Sequence, residues 1–193
     1  MKPVPLNTPM FALGVGRVVK SASPKFKEGD LARGYLNWQE YGVHAETALE
    51  WVPQYPYPQH YISVFGNSTS LTAYVGLKEI GKPKKGETVL VSTAAGATGI
   101  MVCQLAKAWG MNVVGMAGAD NKCEWLEKEL GIRCINYKAA GAKLRDEIKK
   151  ACPKGVDVYF DNVGGEMLDT VFTVMNDFGR IVGCGAISGY LDP

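Results

Sequence analysis

Metal-ligand spacing is missing from this sequence. Its two histidines, His44 and His60, stand at no ligand-like interval from any cysteine, and no CxxC pair occurs, so no metal site is expected. The five cysteines (Cys103, Cys123, Cys134, Cys152, Cys184) are an odd number lying far apart. A chain of 193 residues does not need disulfide stapling, and a reduced, cytoplasmic protein is the natural expectation. An excess of one charge is lacking as well. Lys and Arg total 21 against 19 acidic residues, a net charge of +2, which argues against a surface that binds nucleic acid by neutralising phosphates. No apolar run approaches the ~20 residues of a membrane span, and Met1-Lys2-Pro3-Val4-Pro5 opens no signal-peptide core, so no membrane partner is expected. There is no nucleophile elbow and no Walker loop. Cys103 stands beside Met101 and Leu105 on a helical pattern, which reads as core filling.

Hydrophobic residues at 47% are enough for a core, and the length allows one domain plus part of another. Two textures divide the chain. Residues 1–60 hold seven of the ten prolines and short β-like runs: a strand over 14–19, a Gly29-Asp30 turn into the next strand, and an alternating strand over 42–46. From about residue 68 the pattern is βα alternation. A helix over 70–80, capped by Ser68 or Thr69 and broken at Lys82-Pro83, is followed by buried strands at 88–91, 111–116, 133–135, 156–160 and 180–184. Helices at 98–109, 121–130, 142–152 and 167–175 lie between them, with stops at Gly110, Gly131 and Pro153. Five buried strands alternating with helices predict an α/β fold: a Rossmann-type, doubly wound parallel sheet over 68–193, preceded by a small β domain over 1–67.

Four segments fall at the carboxyl ends of predicted strands, where such a sheet binds its ligands. Ala94-Ala95-Gly96-Ala97-Thr98-Gly99 sits between a strand and a helix, as a dinucleotide loop does, though alanine replaces its first glycine. Gly96 lets backbone approach a pyrophosphate, Gly99 lets helix pack on strand, and Ala97 and Thr98 open the helix whose N-terminus faces the phosphates. Met116-Ala117-Gly118-Ala119-Asp120-Asn121-Lys122 follows the second strand. Gly118 leaves room for a 2′-phosphate and Lys122 is its candidate ligand, unless it is a plain surface lysine. Asp120, about 20 residues past the glycine loop, is either the acid that holds an NAD ribose or a helix cap. This segment leans to NADP without deciding. Asp161-Asn162-Val163-Gly164-Gly165 offers Asn162 to a ribose or nicotinamide, or is a simple Asn/Gly turn. Cys184-Gly185-Ala186-Ile187-Ser188-Gly189-Tyr190 ends in a phenol that could donate a proton, or in an ordinary exposed aromatic.

On these residues the chain resembles the zinc-independent medium-chain dehydrogenase/reductases, and within them the prostaglandin reductase (leukotriene B4 12-hydroxydehydrogenase) and 2-alkenal double-bond reductase group. The resembling stretches are Phe-Lys-Glu-Gly-Asp (26–30), Leu-Thr-Ala-Tyr (71–74), the glycine loop, Ile-Asn-Tyr-Lys (135–138), residues 154–166, Phe-Gly-Arg-Ile-Val (178–182) and residues 184–190. The resemblance implies NADPH-dependent reduction of the activated double bond of an α,β-unsaturated aldehyde or ketone, with hydride passing to the β-carbon. It implies that residues 96–99 hold the pyrophosphate, Lys122 the 2′-phosphate, Tyr137 the same end of the cofactor and Asn162 the nicotinamide-side ribose. Cys184, Gly185, Ala186, Ile187, Ser188 and Tyr190 would line the nicotinamide pocket, with Tyr190 as the catalytic proton donor or enolate stabiliser. The same fold also carries quinone oxidoreductases. The resemblance further implies a GroES-like first domain and, for the full-length family, a homodimer. Such enzymes are longer: this chain would begin inside the GroES-like domain and stop short of the sixth Rossmann strand, which leaves a cofactor-binding module without turnover as another alternative. Gly66-Asn67-Ser68-Thr69-Ser70 departs from the family's Gly-Met-Pro-Gly-like approach to Leu-Thr-Ala-Tyr, a segment near the substrate.

Overall fold

A computed structural model describes residues 5–63 and 68–190, and contacts divide the chain into Met1–Asn67 and Ser68–Pro193. In the first unit, β1 (Phe11–Arg17), β2 (Leu31–Asn37) and β3 (Leu49–Val52) form an antiparallel sheet in the order β1-β2-β3, with Gly14 opposite Gly34 and Leu31 opposite Val52. The Gly29-Asp30 turn enters β2 as expected. Asp30 accepts the Lys27 N–H through its carboxylate at 2.8 Å, and Gly29 adopts φ 90°. The strand expected over 42–46 does not form. Alternation needs a face to bury, and Val43 is fully exposed; the third strand is β3 instead. A short helix, α1 (His60–Ser63), follows, while Gly66 and Asn67, in the segment that departs from the family, lie outside the described residues.

In the second unit, α2 (Ser68–Val75) runs into a π-turn over Gly76–Gly81 and ends at Lys82, whose φ of 42° is left-handed. Ser68 and Thr69, expected as caps, are the first two described residues of α2. Beyond lie β4 (Thr88–Val91), α3 (Ala97–Ala108), β5 (Asn112–Ala117), α4 (Asp120–Leu130), β6 (Arg133–Asn136), α5 (Tyr137–Ala140), α6 (Leu144–Ala151), β7 (Val156–Asp161), α7 (Gly165–Phe172) and β8 (Met175–Gly183). The strands pair in parallel in the order β6-β5-β4-β7-β8. The helix expected over 167–175 begins and ends earlier, because Met175 pairs with Val156 and so opens β8.

Side chains alternate across the sheet, and each face has its own core. Val89, Val91, Val158 and Phe160 pack with Val102, Cys103 and Ala106 of α3 and Leu126 of α4. Leu90, Val114, Met116 and Tyr159 pack with Leu144 and Ile148 of α6 and Met167 and Val171 of α7. This is the doubly wound sheet that the periodicity predicts. Cys103 is fully buried in the first core, and burial pushes its thiol up to about 12, so it is inert packing. At the amino-terminal edge, Arg180 of β8 donates to the Gly81 carbonyl at 2.9 Å and to both carboxylate oxygens of Glu87. Burial raises the Glu87 pKa, but the bonds from Arg180 and the Lys84 N–H outweigh it and hold the carboxyl below its ordinary value.

Candidate functional site

Every strand of the parallel sheet points the same way, so the turns after Val91, Ala117, Asn136, Asp161 and Gly183 share one edge. Chain order reverses between β4 and β7, which opens a crevice at that edge. Three hydrogen bonds stitch it. The Asn162 N–H donates to Ser92 Oγ at 2.8 Å, the Asn162 side-chain amide donates to the Ser92 carbonyl at 2.8 Å, and Ser92 Oγ donates to the Phe160 carbonyl at 3.2 Å. Ser92 is fully buried and Asn162 half-buried. The side chain of Asn162 is thus fixed at the mouth of the crevice rather than spent on its own turn.

The glycine loop fills the β4 side. Thr93 adopts φ 51°, a left-handed conformation uncommon for a β-branched residue, and its carbonyl accepts the Gly96 N–H at 2.8 Å. Gly99 is the tightest position. A Cβ there would come within 2.2 Å of the Thr93 oxygen and 2.8 Å of Ala94 Cα, so only glycine lets α3 begin this close to β4. Gly96 caps α3 with no side-chain hydrogen bond, and the first intrahelical acceptor is the Gly96 carbonyl, bonded by Ile100 at 2.8 Å. The amides of Ala97, Thr98 and Gly99 precede that bond and lie at the positive end of a 12-residue helix.

After β5, Gly118 faces Tyr137 and Lys138. A Cβ on Gly118 would meet the Tyr137 hydroxyl at 3.0 Å and Lys138 Cε at 3.3 Å. Lys122 lies in the first turn of α4, and Tyr137 opens α5, partly packed on the second core. Asp120 does not cap α4: the N-cap is Ala119, without a side-chain bond, and Asp120 instead accepts a 2.6 Å hydrogen bond from the Asn136 amide.

After β7, the carboxylate of Asp161 is 3% exposed and accepts from the Tyr159 hydroxyl at 2.9 Å and the Val163 and Gly164 N–H groups at 3.0 Å. Burial drives the Tyr159 phenol upward, so it stays a donor. The 184–190 loop is latched to the same turn. Ser188 Oγ donates to the Val163 carbonyl at 2.6 Å, and the Cys184 and Gly185 amides donate to the Asp161 carbonyl at 2.8 and 3.1 Å. Tyr190 Oη accepts the Ala186 N–H at 3.1 Å, closing the loop on itself. Ile187 and Tyr190 are exposed. Burial, and then the charge of Asp161, raise the Cys184 thiol above its ordinary value. Beside Cys184 runs an apolar groove of about 530 Å³ lined by Leu71, Val75, Ile80, Phe160 and Val182. A further hollow of about 660 Å³ lies within the first unit, around Phe26, Leu36 and His44.

The fold thus brings the predicted residues to one edge in two groups: the 94–99 loop with Asn162 and 184–190 across the β4–β7 crevice, and Gly118, Lys122 and Tyr137 at the β5–β6 end. Sequence reading passes over Ser92, Thr93, Asn136, Lys138 and Tyr159 as parts of this edge. Only Asn136 carries a local signal, a capping-type residue before a helical turn. Among the described residues, no group of three or more His, Cys, Asp or Glu could hold a metal ion, and no helix is long and apolar enough to cross a membrane.

Comparison with known proteins agrees with this architecture. Residues 1–52 match the N-terminal domain of oxidoreductase and residues 97–192 the family described as zinc-binding dehydrogenase. The chain is 42% identical over 186 residues to the NADP(+)-dependent 2-alkenal reductase of Nicotiana tabacum, covering 95% of this chain and 54% of that protein. It is 43% identical over 184 residues to prostaglandin reductase 1 of Bos taurus, covering 94% and 56%. The crystal structure of CurA in complex with NADPH from Vibrio vulnificus superposes with a TM-score of 0.86 at 35% identity, over 98% of this chain and 56% of that one. The chain spans about half the length of the curated relatives it matches. On its sheet, its glycine loop and these likenesses, the chain belongs to the medium-chain dehydrogenase/reductase family, with the 2-alkenal and prostaglandin reductases among its relatives.

Proposed function

We propose that this chain is the cofactor-holding part of an NADPH-dependent reductase acting on the activated carbon–carbon double bond of small enals and enones. The observation that carries the reading is the backbone cradle at Gly99, which no side chain can share, set at the uncapped start of α3 and beside the β4–β7 crevice. A pyrophosphate fits that cradle by charge and by room. Gly118 supplies floor space at the β5–β6 end, with Tyr137 and Lys138 against it and Lys122 in the first turn of the following helix, α4, which suits a 2′-phosphate better than the bare hydroxyl of NADH. When bound, NADPH supplies the hydride. Asn162, fixed by Ser92, orients the nicotinamide end, and the 184–190 loop forms that pocket's wall. The apolar groove at Phe160, Val182 and Cys184 excludes water next to it. Tyr190 is the proton donor in this reading: its oxygen accepts from Ala186, so its own proton is free for the α-carbon side of the substrate. The first unit belongs to a GroES-like domain, and a homodimer is the assembly that accompanies the reading.

The test is NADPH consumption with a panel of enals, enones and quinones. Turnover of the enals and enones is expected. Turnover of quinones alone, or tight NADPH binding with no consumption on any acceptor, sinks the reading. Lys122→Ala is expected to weaken NADPH binding about tenfold or more, the scale of one lost charge-assisted hydrogen bond, while leaving NADH nearly unchanged. Equal losses on both cofactors in a binding titration would refute the 2′-phosphate role.

A further inference from the structure

The turn after β5 contains an acid, Asp120, at the distance from the glycine loop where an NAD-binding protein places its ribose-binding carboxylate. That carboxylate is already engaged. Asn136, the last residue of β6 and paired across the sheet with Ala117, donates its side-chain amide to Asp120 Oδ1 at 2.6 Å. Its carbonyl oxygen accepts the Lys138 and Ala139 N–H groups at 3.1 and 3.2 Å, capping α5. The two functions fix each other. Rotating the amide by 180° would aim its NH2 at two backbone donors and its oxygen at a carboxylate, so the orientation is chemically determined. The residues that follow, Tyr137 and Lys138, are the ones standing over Gly118. One side chain therefore draws the acid of this turn toward β6 and sets a tyrosine and a lysine over the floor beside it.

We propose that Asn136 is a specificity-determining positioning residue: its bond to Asp120 withholds that carboxylate from the 2′-hydroxyl of NADH and leaves the space over Gly118 to the 2′-phosphate of NADPH. The inference rests on the NADPH reading above. Without the latch, Asp120 accepts the ribose hydroxyl of NADH and repels the phosphate of NADPH, so the two affinities move in opposite directions. A residue that merely stabilised the turn would move them together.

The experiment uses Asn136→Ser, Asp120→Ala and the double substitution in this chain, with NADPH and NADH affinities measured by fluorescence titration and folding checked by thermal melts. Serine still caps α5 but is too short to span to Asp120. The ratio of NADH to NADPH dissociation constants is expected to fall about tenfold or more in Asn136→Ser, on the scale of a charge-assisted hydrogen bond. In the Asp120→Ala background, adding Asn136→Ser is expected to leave the ratio where Asp120→Ala sets it. An unchanged ratio in Asn136→Ser, or an equal shift with and without Asp120, overturns the latch while leaving NADPH binding intact. Failure of the unsubstituted chain to bind NADPH overturns the cofactor reading and the latch with it.

Discussion

Gly99→Ala is expected to abolish tight NADPH binding and to lower the melting temperature by about 10 °C. The added methyl group meets the backbone of the Thr93–Ala94 peptide: the Thr93 oxygen at 2.2 Å, Ala94 Cα at 2.8 Å and the Thr93 carbonyl carbon at 2.9 Å. No rotamer relieves a clash with main chain, so α3 must withdraw from β4 or the Thr93 turn must open. Overpacking of this kind costs about 3 kcal/mol, which for a chain of this size corresponds to roughly 6–12 °C. Either movement pulls the first-turn amides out of register with a pyrophosphate, and affinity should fall by about a hundredfold or more, the equivalent of roughly 3 kcal/mol. Gly96→Ala is the informative control. Its Cβ would meet the Thr93 methyl at 3.0 Å and the Thr93 oxygen at 3.1 Å, contacts that yield to a shift of a few tenths of an ångström, so its effect should be clearly smaller. Thermal melts and NADPH titrations of both variants decide the matter; a Gly99→Ala chain with the parent's melting point and affinity would mean that the cradle is not what the backbone geometry makes it.

Asp161→Ala is expected to be still more damaging to stability. The buried carboxylate is the shared acceptor for the Tyr159 hydroxyl and for two successive amides, Val163 and Gly164. Removing it leaves three donors without a partner in a low-dielectric setting, at about 1–3 kcal/mol each before relaxation. Allowing for water entering the gap, a net loss of about 4 kcal/mol follows. Asp161→Asn keeps one acceptor oxygen but turns an NH2 toward other donors, and about 2 kcal/mol is expected. Tyr159→Phe removes a single donor and should be mildest, because the carboxylate keeps both amides. Urea unfolding of the three variants tests this ranking. If Tyr159→Phe proves costlier than Asp161→Ala, the carboxylate is not the organiser of the turn. Because Ser188 and the Cys184 amide bond to carbonyls of the same turn, Asp161→Ala should also loosen the 184–190 loop, visible as faster amide exchange at Ser188.

The parallel sheet was legible because each buried strand is a short apolar run and most of the helices carry their own stop, as at Gly131, whose φ of 60° ends α4. The 42–46 segment misled because alternation alone does not say whether a face has anything to pack against, and Val43 finds nothing. Within the site, the reading followed features that act locally: glycines at a strand–helix junction, an Asn/Gly turn, a tyrosine in a loop. Ser92 was invisible because its partners are 68 and 70 residues away in sequence, and β4 neighbours β7 only through the crossover of the sheet. Asn136 and Asp120 meet for a similar reason: the β5–β6 register sets Ala117 against Asn136, and no spacing rule on one segment contains that fact. Asp161 lay in plain view, but a buried acid and a turn-forming acid look alike until the Tyr159 hydroxyl is placed beside it.

The long span between Ser92 and Asn162 bears on the order in which the protein acquires its parts during synthesis. The glycine loop, its strand and its helix are neighbours in sequence and close over short loops, so they can assemble as soon as β5 is available to pair with β4. The crevice cannot. Its two walls become adjacent only when β7 enters the sheet beside β4, after the β5–β6 half is already in place, and the bonds that fix Asn162 close a 70-residue separation. If the glycine loop and the crevice have the roles proposed above, a nascent chain completes the phosphate cradle well before the nicotinamide pocket, and a cofactor captured early would be gripped at one end alone until residue 162 has emerged.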